Sequence, residues 1–102
     1  MEQDDLAFHP KASEEYIEAL GWYIQCGEHL GQGFEQEIDR ALRLIADSPE
    51  RWPQYGPYHR RILVRRFPYV IVYFLQGAKV WIVAVAHGHR KPGYWRSRRV
   101  PI

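Results

Sequence analysis

Residues 60–87 read RRILVRRFPYVIVYFLQGAKVWIVAVAH. Val, Ile, Tyr and Phe dominate three runs within it, 60–64, 70–75 and 80–86. Such β-branched and aromatic side chains suit the pleated, half-buried surface of a sheet. Phe67-Pro68 and Gln76-Gly77-Ala78-Lys79 interrupt the runs, and breaks this short let neighbouring runs pair as an antiparallel meander. The last run sets Trp81, Val83 and Val85 against Val80, Ile82, Ala84 and Ala86, apolar in both alternating sets. That pattern predicts a central strand, or one covered by helices on one side and by something else on the other.

Working upstream, the nine residues 49–57, PERWPQYGP, hold three prolines and a glycine and read as a turn-rich connection, with Trp52 and Tyr55 pinning it to the core. Before it, Leu30, Phe34, Ile38, Ala41, Leu42 and Ile45 recur at helical spacing and stop ahead of Asp47-Ser48-Pro49. An earlier stripe, Tyr16, Leu20, Tyr23 and Ile24, predicts another helix, with Glu14, Glu15 and Glu18 on its outer faces. Pro10 suits its first turn and Gly27 its end. Leu6-Ala7-Phe8 is consistent with a short first strand, whose place in the sheet the sequence leaves open. The expected fold is therefore α+β: a short strand, a helical hairpin, then a three-stranded antiparallel meander with the helices on one sheet face. At 102 residues the chain is sized for a single domain, 1–102.

Charge is divided unevenly. Residues 1–50 carry all 12 acids and only Lys11, Arg40 and Arg43 as bases, a formal minus nine. Residues 51–102 carry no acid and a formal plus eleven, leaving +2 overall. Such a distribution fits a polyanion or an acidic partner for the basic half, and equally an acidic helical layer attracted to a basic sheet. The single Cys26 cannot form an internal disulfide, and no apolar run approaches the ~20 residues that cross a bilayer. The opening MEQDDLAFHP lacks the basic-then-apolar layout of a secretory signal, so a cytoplasmic location is expected.

Chemistry concentrates in residues 84–99, AVAHGHRKPGYWRSRR. His87, His89, Arg90, Lys91, Tyr94, Trp95, Arg96, Arg98 and Arg99 leave the end of the predicted central strand together. Interleaved bases and aromatics can grip phosphates and stack on nucleobases, and a His, Arg and Tyr together can supply acid, base and charge stabilisation for RNA cleavage. The same pattern also fits a tail docked by Tyr94 and Trp95 with its arginines solvated. A second basic run, 59–66, puts Arg61, Leu63 and Arg65 on one strand face and Arg60, Ile62, Val64 and Arg66 on the other, which fits an edge strand that uses charge to prevent unwanted pairing, and also a binding role. His87 and His89 without a nearby Cys, Asp or Glu make a poor metal site, and neither a phosphate-cradling glycine loop nor a Ser-His-Asp arrangement is legible.

Three segments, FHPKASEEYIEALGWYI (8–24), FEQEIDRALRLIADSPERWP (34–53) and RRILVRRFPYVIVYFLQGAKVWIVAVAHGHRKPGYWR (60–96), resemble the RelE/ParE toxin superfamily over residues 6–96, nearest its plasmid-stabilisation, ParE-like branch. FPYVIVY and AHGHRKPGYW are the most specific pieces. The resemblance implies a toxin–antitoxin toxin, no cofactor, and a cognate antitoxin, ParD-like or similar, whose acidic amphipathic segment folds around the toxin in a hetero-oligomer. Members of the ribonuclease branch, which cut messenger RNA on the ribosome, begin their third strand Tyr-Arg; here Val70 follows Tyr69. A valine cannot neutralise a developing phosphorane charge, so the resemblance points towards a protein-binding toxin aimed at a target such as DNA gyrase. Its target-binding candidates are Arg90, Lys91, Tyr94, Trp95 and Arg96. A ribonuclease would instead rely on Arg90, Tyr94 and His87 or His89, with Arg65 or Arg66 holding phosphate. A degenerate, non-toxic member that still binds antitoxin is the third expectation.

Overall fold

A computed structural model describes residues 6–100 in six elements: β1 (Leu6–Phe8), α1 (Pro10–Cys26), α2 (Glu28–Asp47), β2 (Arg60–Leu63), β3 (Tyr69–Gln76) and β4 (Lys79–His87). Residues 1–5, which open the acidic N-terminal stretch, lie outside the described residues, as do 101 and 102. The sheet order is β1-β4-β3-β2, with β1 parallel to β4 and the other neighbours antiparallel. This is the expected α+β arrangement. The helical hairpin supplies the crossover that lets β1 lie parallel beside the last strand.

Local chemistry explains the hairpin. The His9 ring accepts the Lys11 backbone N–H at 3.0 Å, capping α1, and Pro10 occupies its first turn. Gly27 alone separates the helices, and its N–H bonds back to the Tyr23 and Ile24 carbonyls. Gly31 on α2 lets the two helices close up: a Cβ there would lie 2.5 Å from Ile24 Cγ1 and 3.2 Å from the Ile24 backbone. Ile24, expected inside, therefore sits at this outer seam, 53% exposed. Glu15 departs from expectation in the opposite sense and turns inward, because the fully packed face of α1 runs through Ala12 and Ala19, three residues before it and four after.

The helices bury Phe34, Ile38, Ala41 and Ile45 against Ile62, Ile71, Tyr73, Val80, Ile82 and Val85 of the sheet. Near the helical turn, Tyr23, Phe34, Phe67 and Tyr69 form an aromatic cluster with ring centroids 4.9–5.3 Å apart in four of its pairs. Edge-to-face pairs of this kind are worth about 1 kcal/mol beyond their burial. Tyr73 donates its hydroxyl to the Pro49 carbonyl at 2.7 Å, and burial pushes its pKa up to about 12 despite the opposing influence of Arg60. Trp52 Nε1 donates to the Leu44 carbonyl, whereas Tyr55 packs on the opposite side of the sheet against Trp95. The 49–57 connection is thus pinned to both layers.

β4 is central and apolar on both faces, as expected, but its alternation is not regular. Val72 pairs with Ala84 while Tyr73 pairs with Ile82, leaving Val83 bulged. The bulge shifts every later side chain to the other face. Val85 joins Val80 and Ile82 under the helices, and Ala84 and Ala86 join Trp81 and Val83 on the opposite side. The cover on that side is the C-terminal segment itself, through Trp95, Tyr94 and Val100.

Candidate functional site

β4 ends at His87, and the chain turns immediately: the Arg90 N–H bonds to the His87 carbonyl at 3.0 Å, and the His89 N–H to His87 Nδ1 at 3.0 Å. His87 Nδ1 is therefore an acceptor. Its ring lies edge-on to Tyr69, 5.2 Å away, and to His89, 5.0 Å away. Arg90 and Lys91 are exposed. Gly93, at φ 85°, occupies the left-handed region that favours glycine, and a Cβ there would sit 3.0 Å from the Arg96 guanidinium carbon. This turn drives Trp95 into the sheet, where it is 1% exposed beside Tyr55 and His59. Trp95 is thus an internal anchor for the tail, and the surface proposed for a target does not include it. Burial, with Arg96 nearby, lowers the His59 pKa.

Glu15 organises the segment. Its Oε1 accepts the Val85 backbone N–H at 3.0 Å and Arg98 Nη1 at 2.9 Å; its Oε2 accepts the Tyr94 hydroxyl at 2.7 Å and Arg98 Nη2 at 2.8 Å. Arg98 Nη1 also donates to the Val83 carbonyl at 2.8 Å. β1 pairs β4 only from Val80 to Ile82, so the carboxylate and guanidinium occupy backbone groups of β4 beyond the end of β1. The side chains of the pair are only 10% and 15% exposed. Burial alone would raise the Glu15 pKa, but bonds from Arg98, Tyr94 and Val85 outweigh it and hold the carboxyl below its ordinary value. The Tyr94 hydroxyl moves the other way, raised by burial and by the carboxylate that accepts its hydrogen.

The Arg90 guanidinium lies over the Tyr94 ring, 3.9 Å from its centroid, and that of Arg98 lies 5.0 Å away. Arg90, His87, Tyr69, Trp22, Glu15 and Glu18 border a cleft of about 350 Å³ between α1 and the end of β4. The structure therefore brings Arg90, Tyr94 and His87 together. Arg65 is not among them: it is exposed and lines a different groove with Arg40, Trp52 and Leu63. Arg66 reaches over Phe67 and towards Gly33 on α2. Val70 pairs with Ala86 and packs beneath the tail, an apolar side chain where the ribonuclease pattern has a cation.

Residues 6–92 match the family model for the ParE toxin of the type II toxin–antitoxin system, parDE. The chain belongs to the ParE toxin family. A search of curated proteins finds no match. The family match runs from β1 through the turn that carries Arg90 and Lys91 and stops short of Tyr94, Trp95 and Arg98. The tail clamp of this ParE-family toxin thus joins Glu15, inside the matched span, to residues beyond it. No helix among the described residues is long and apolar enough to cross a membrane.

Arg98 belongs to the basic and aromatic constellation read in the sequence, whereas Glu15, its partner, does not. Glu15 looked like one of three outward acids. The available signal was its placement between Ala12 and Ala19, where small residues mark the helix face closest to the sheet.

Proposed function

We propose that this ParE-family toxin acts in the cytoplasm by binding an essential protein target, DNA gyrase by family resemblance, and that a cognate antitoxin neutralises it. The observation that carries the binding reading over cleavage is the engagement of the Tyr94 hydroxyl with Glu15. A phenol already donating to a carboxylate, with its pKa raised, makes a poor proton shuttle at neutral pH. Val70 in place of a strand cation points the same way. Arg90, Lys91 and Arg96 are exposed, and among the described residues none of the three joins an ion pair. They offer a cationic contact surface that steers an acidic target.

The antitoxin proposed is ParD-like, with an acidic amphipathic segment that folds on binding and forms a hetero-oligomer with the toxin. The carboxylate-free basic half of the sequence supports this choice of partner. Expression without antitoxin, with pulse labelling of DNA and protein synthesis, tests the reading. Early loss of DNA synthesis is the expected result, and Arg90→Ala should blunt it. Early loss of protein synthesis with cleaved messages overturns it in favour of a ribosome-dependent ribonuclease. Absence of growth arrest favours a non-toxic member that still binds antitoxin.

A further inference from the structure

We propose that Glu15 is a positioning residue for the contact surface: from helix α1 it fixes the Tyr94 ring and, through that ring, sets the Arg90 guanidinium. The inference rests on the reading that Arg90 meets the target. Four donors converge on the Glu15 carboxylate from β4, from Tyr94 and from both terminal nitrogens of Arg98. Val85 and Arg98 hold the carboxylate at the sheet, and its remaining short bond holds the phenol at 2.7 Å. The ring is thereby fixed at a point remote from its own backbone, leaving little rotational freedom.

Arg90 has no such hold of its own. Its side chain is exposed and joins no ion pair among the described residues; its close contact is the Tyr94 face at 3.9 Å. A long cationic side chain immobilised only on binding loses rotamer entropy at that moment, and stacking on a fixed ring removes part of the loss beforehand. Charge supports the arrangement. Arg98 offsets the Glu15 carboxylate, so the ring stays anchored while Arg90, which borders the same cleft as Glu18, joins no ion pair among the described residues and keeps its guanidinium available to a target. Removal of the carboxylate charge frees Arg98 to compete with Arg90 for the same ring, since both guanidinium groups already lie over it.

Glu15→Gln tests this, because it keeps side-chain volume, removes the charge and places a donor among donors. Three quantities are read: cooperative thermal melting, the upfield ring-current displacement of the Arg90 δ protons by NMR, and the toxin level needed to arrest growth. The expected result is a folded protein whose Arg90 δ protons lose most of their displacement and whose potency falls about tenfold, the change that accompanies 1.4 kcal/mol. An unaltered Arg90 displacement in folded Glu15→Gln overturns the proposal. Should Glu15→Gln fail to fold, Tyr94→Phe retains the ring, removes only the tie, and carries the same test with the same two outcomes. Arg90→Ala separates the two readings. Full potency in Arg90→Ala together with Arg90 released in Glu15→Gln defeats the target-contact reading and upholds the coupling.

Discussion

The two faces of the sheet are covered in different ways. Beneath the helices, packing is continuous and apolar: Phe34, Ile38, Ile45, Ile71 and Ile82 are all at most 2% exposed, and the aromatic cluster at the hairpin end interlocks by its ring edges. On the opposite face the fully buried set is small, Val72, Val83, Ala84, Ala86 and Trp95, and its cover is a tail with no regular secondary structure. That tail is held by the inserted Trp95 indole, the hydrogen bond from Tyr94 to Glu15 and the largely covered Arg98–Glu15 ion pair. The helix-covered face holds most of the fully buried core, while the tail on the other face carries the exposed Arg90, Lys91, Arg96 and Arg99. A segment with few apolar contacts opens at lower free energy than the core, and partner-binding surfaces are commonly drawn from such segments.

The largest effect is expected from Phe34→Ala, which removes a fully buried ring from the helix-covered face and costs about 4 kcal/mol. Urea titration should show every probe shifting together. Trp95→Ala should cost about 3 kcal/mol, and hydrogen exchange should show the loss confined first to the tail, with the Arg98 amide exposed while β3 stays protected. Equal loss of protection in α2 would break the distinction between the faces.

Acid sharpens the same comparison. The native fold lowers the Glu15 pKa, so the stabilisation this group contributes is complete above its ordinary 4.5 and is lost as pH falls through the lower folded value. The wild-type protein should lose stability more steeply over that range than Glu15→Gln, which carries no titrating group there. Parallel acid curves for the two would show that the clamp contributes nothing. His59 acts at higher pH: its lowered pKa means that stability declines as pH falls below the ordinary 6.5. The smallest effect belongs to Arg43→Ala. This residue pairs with Asp39 one turn away on the exposed side of α2, and its loss should cost no more than about 0.5 kcal/mol by thermal melting.

Much of the layout was legible along the chain because periodicity is local. The stripe from Leu30 to Ile45 foretold α2, and the β-rich runs foretold β2, β3 and β4 to within a residue or two. Apolar character on both sides of 80–86 pointed to a strand either central or covered on each face, and β4 is both. Ile24 and Glu15 were assigned to the wrong sides of α1, because a helical stripe defines a face only as closely as its neighbours allow. Gly31 draws α2 against Ile24 at the seam, and the sheet supplies Glu15 with Val85 and Arg98 as partners.

The sequence by itself determined the element order, the helical hairpin, the concentration of cations after residue 50 and the family resemblance that the match over residues 6–92 bears out. Each depends on residue types and near spacings. Tertiary structure decided that β1 lies parallel to β4, that the bulge at Val83 sends Val85 beneath the helices, that Trp95 is an inward anchor, and that Glu15 meets Tyr94 and Arg98. Glu15 lies 79 and 83 residues from those partners. A carboxylate on a helix can meet a guanidinium on a tail only after the sheet between them has closed, and that pairing has no local signature to read.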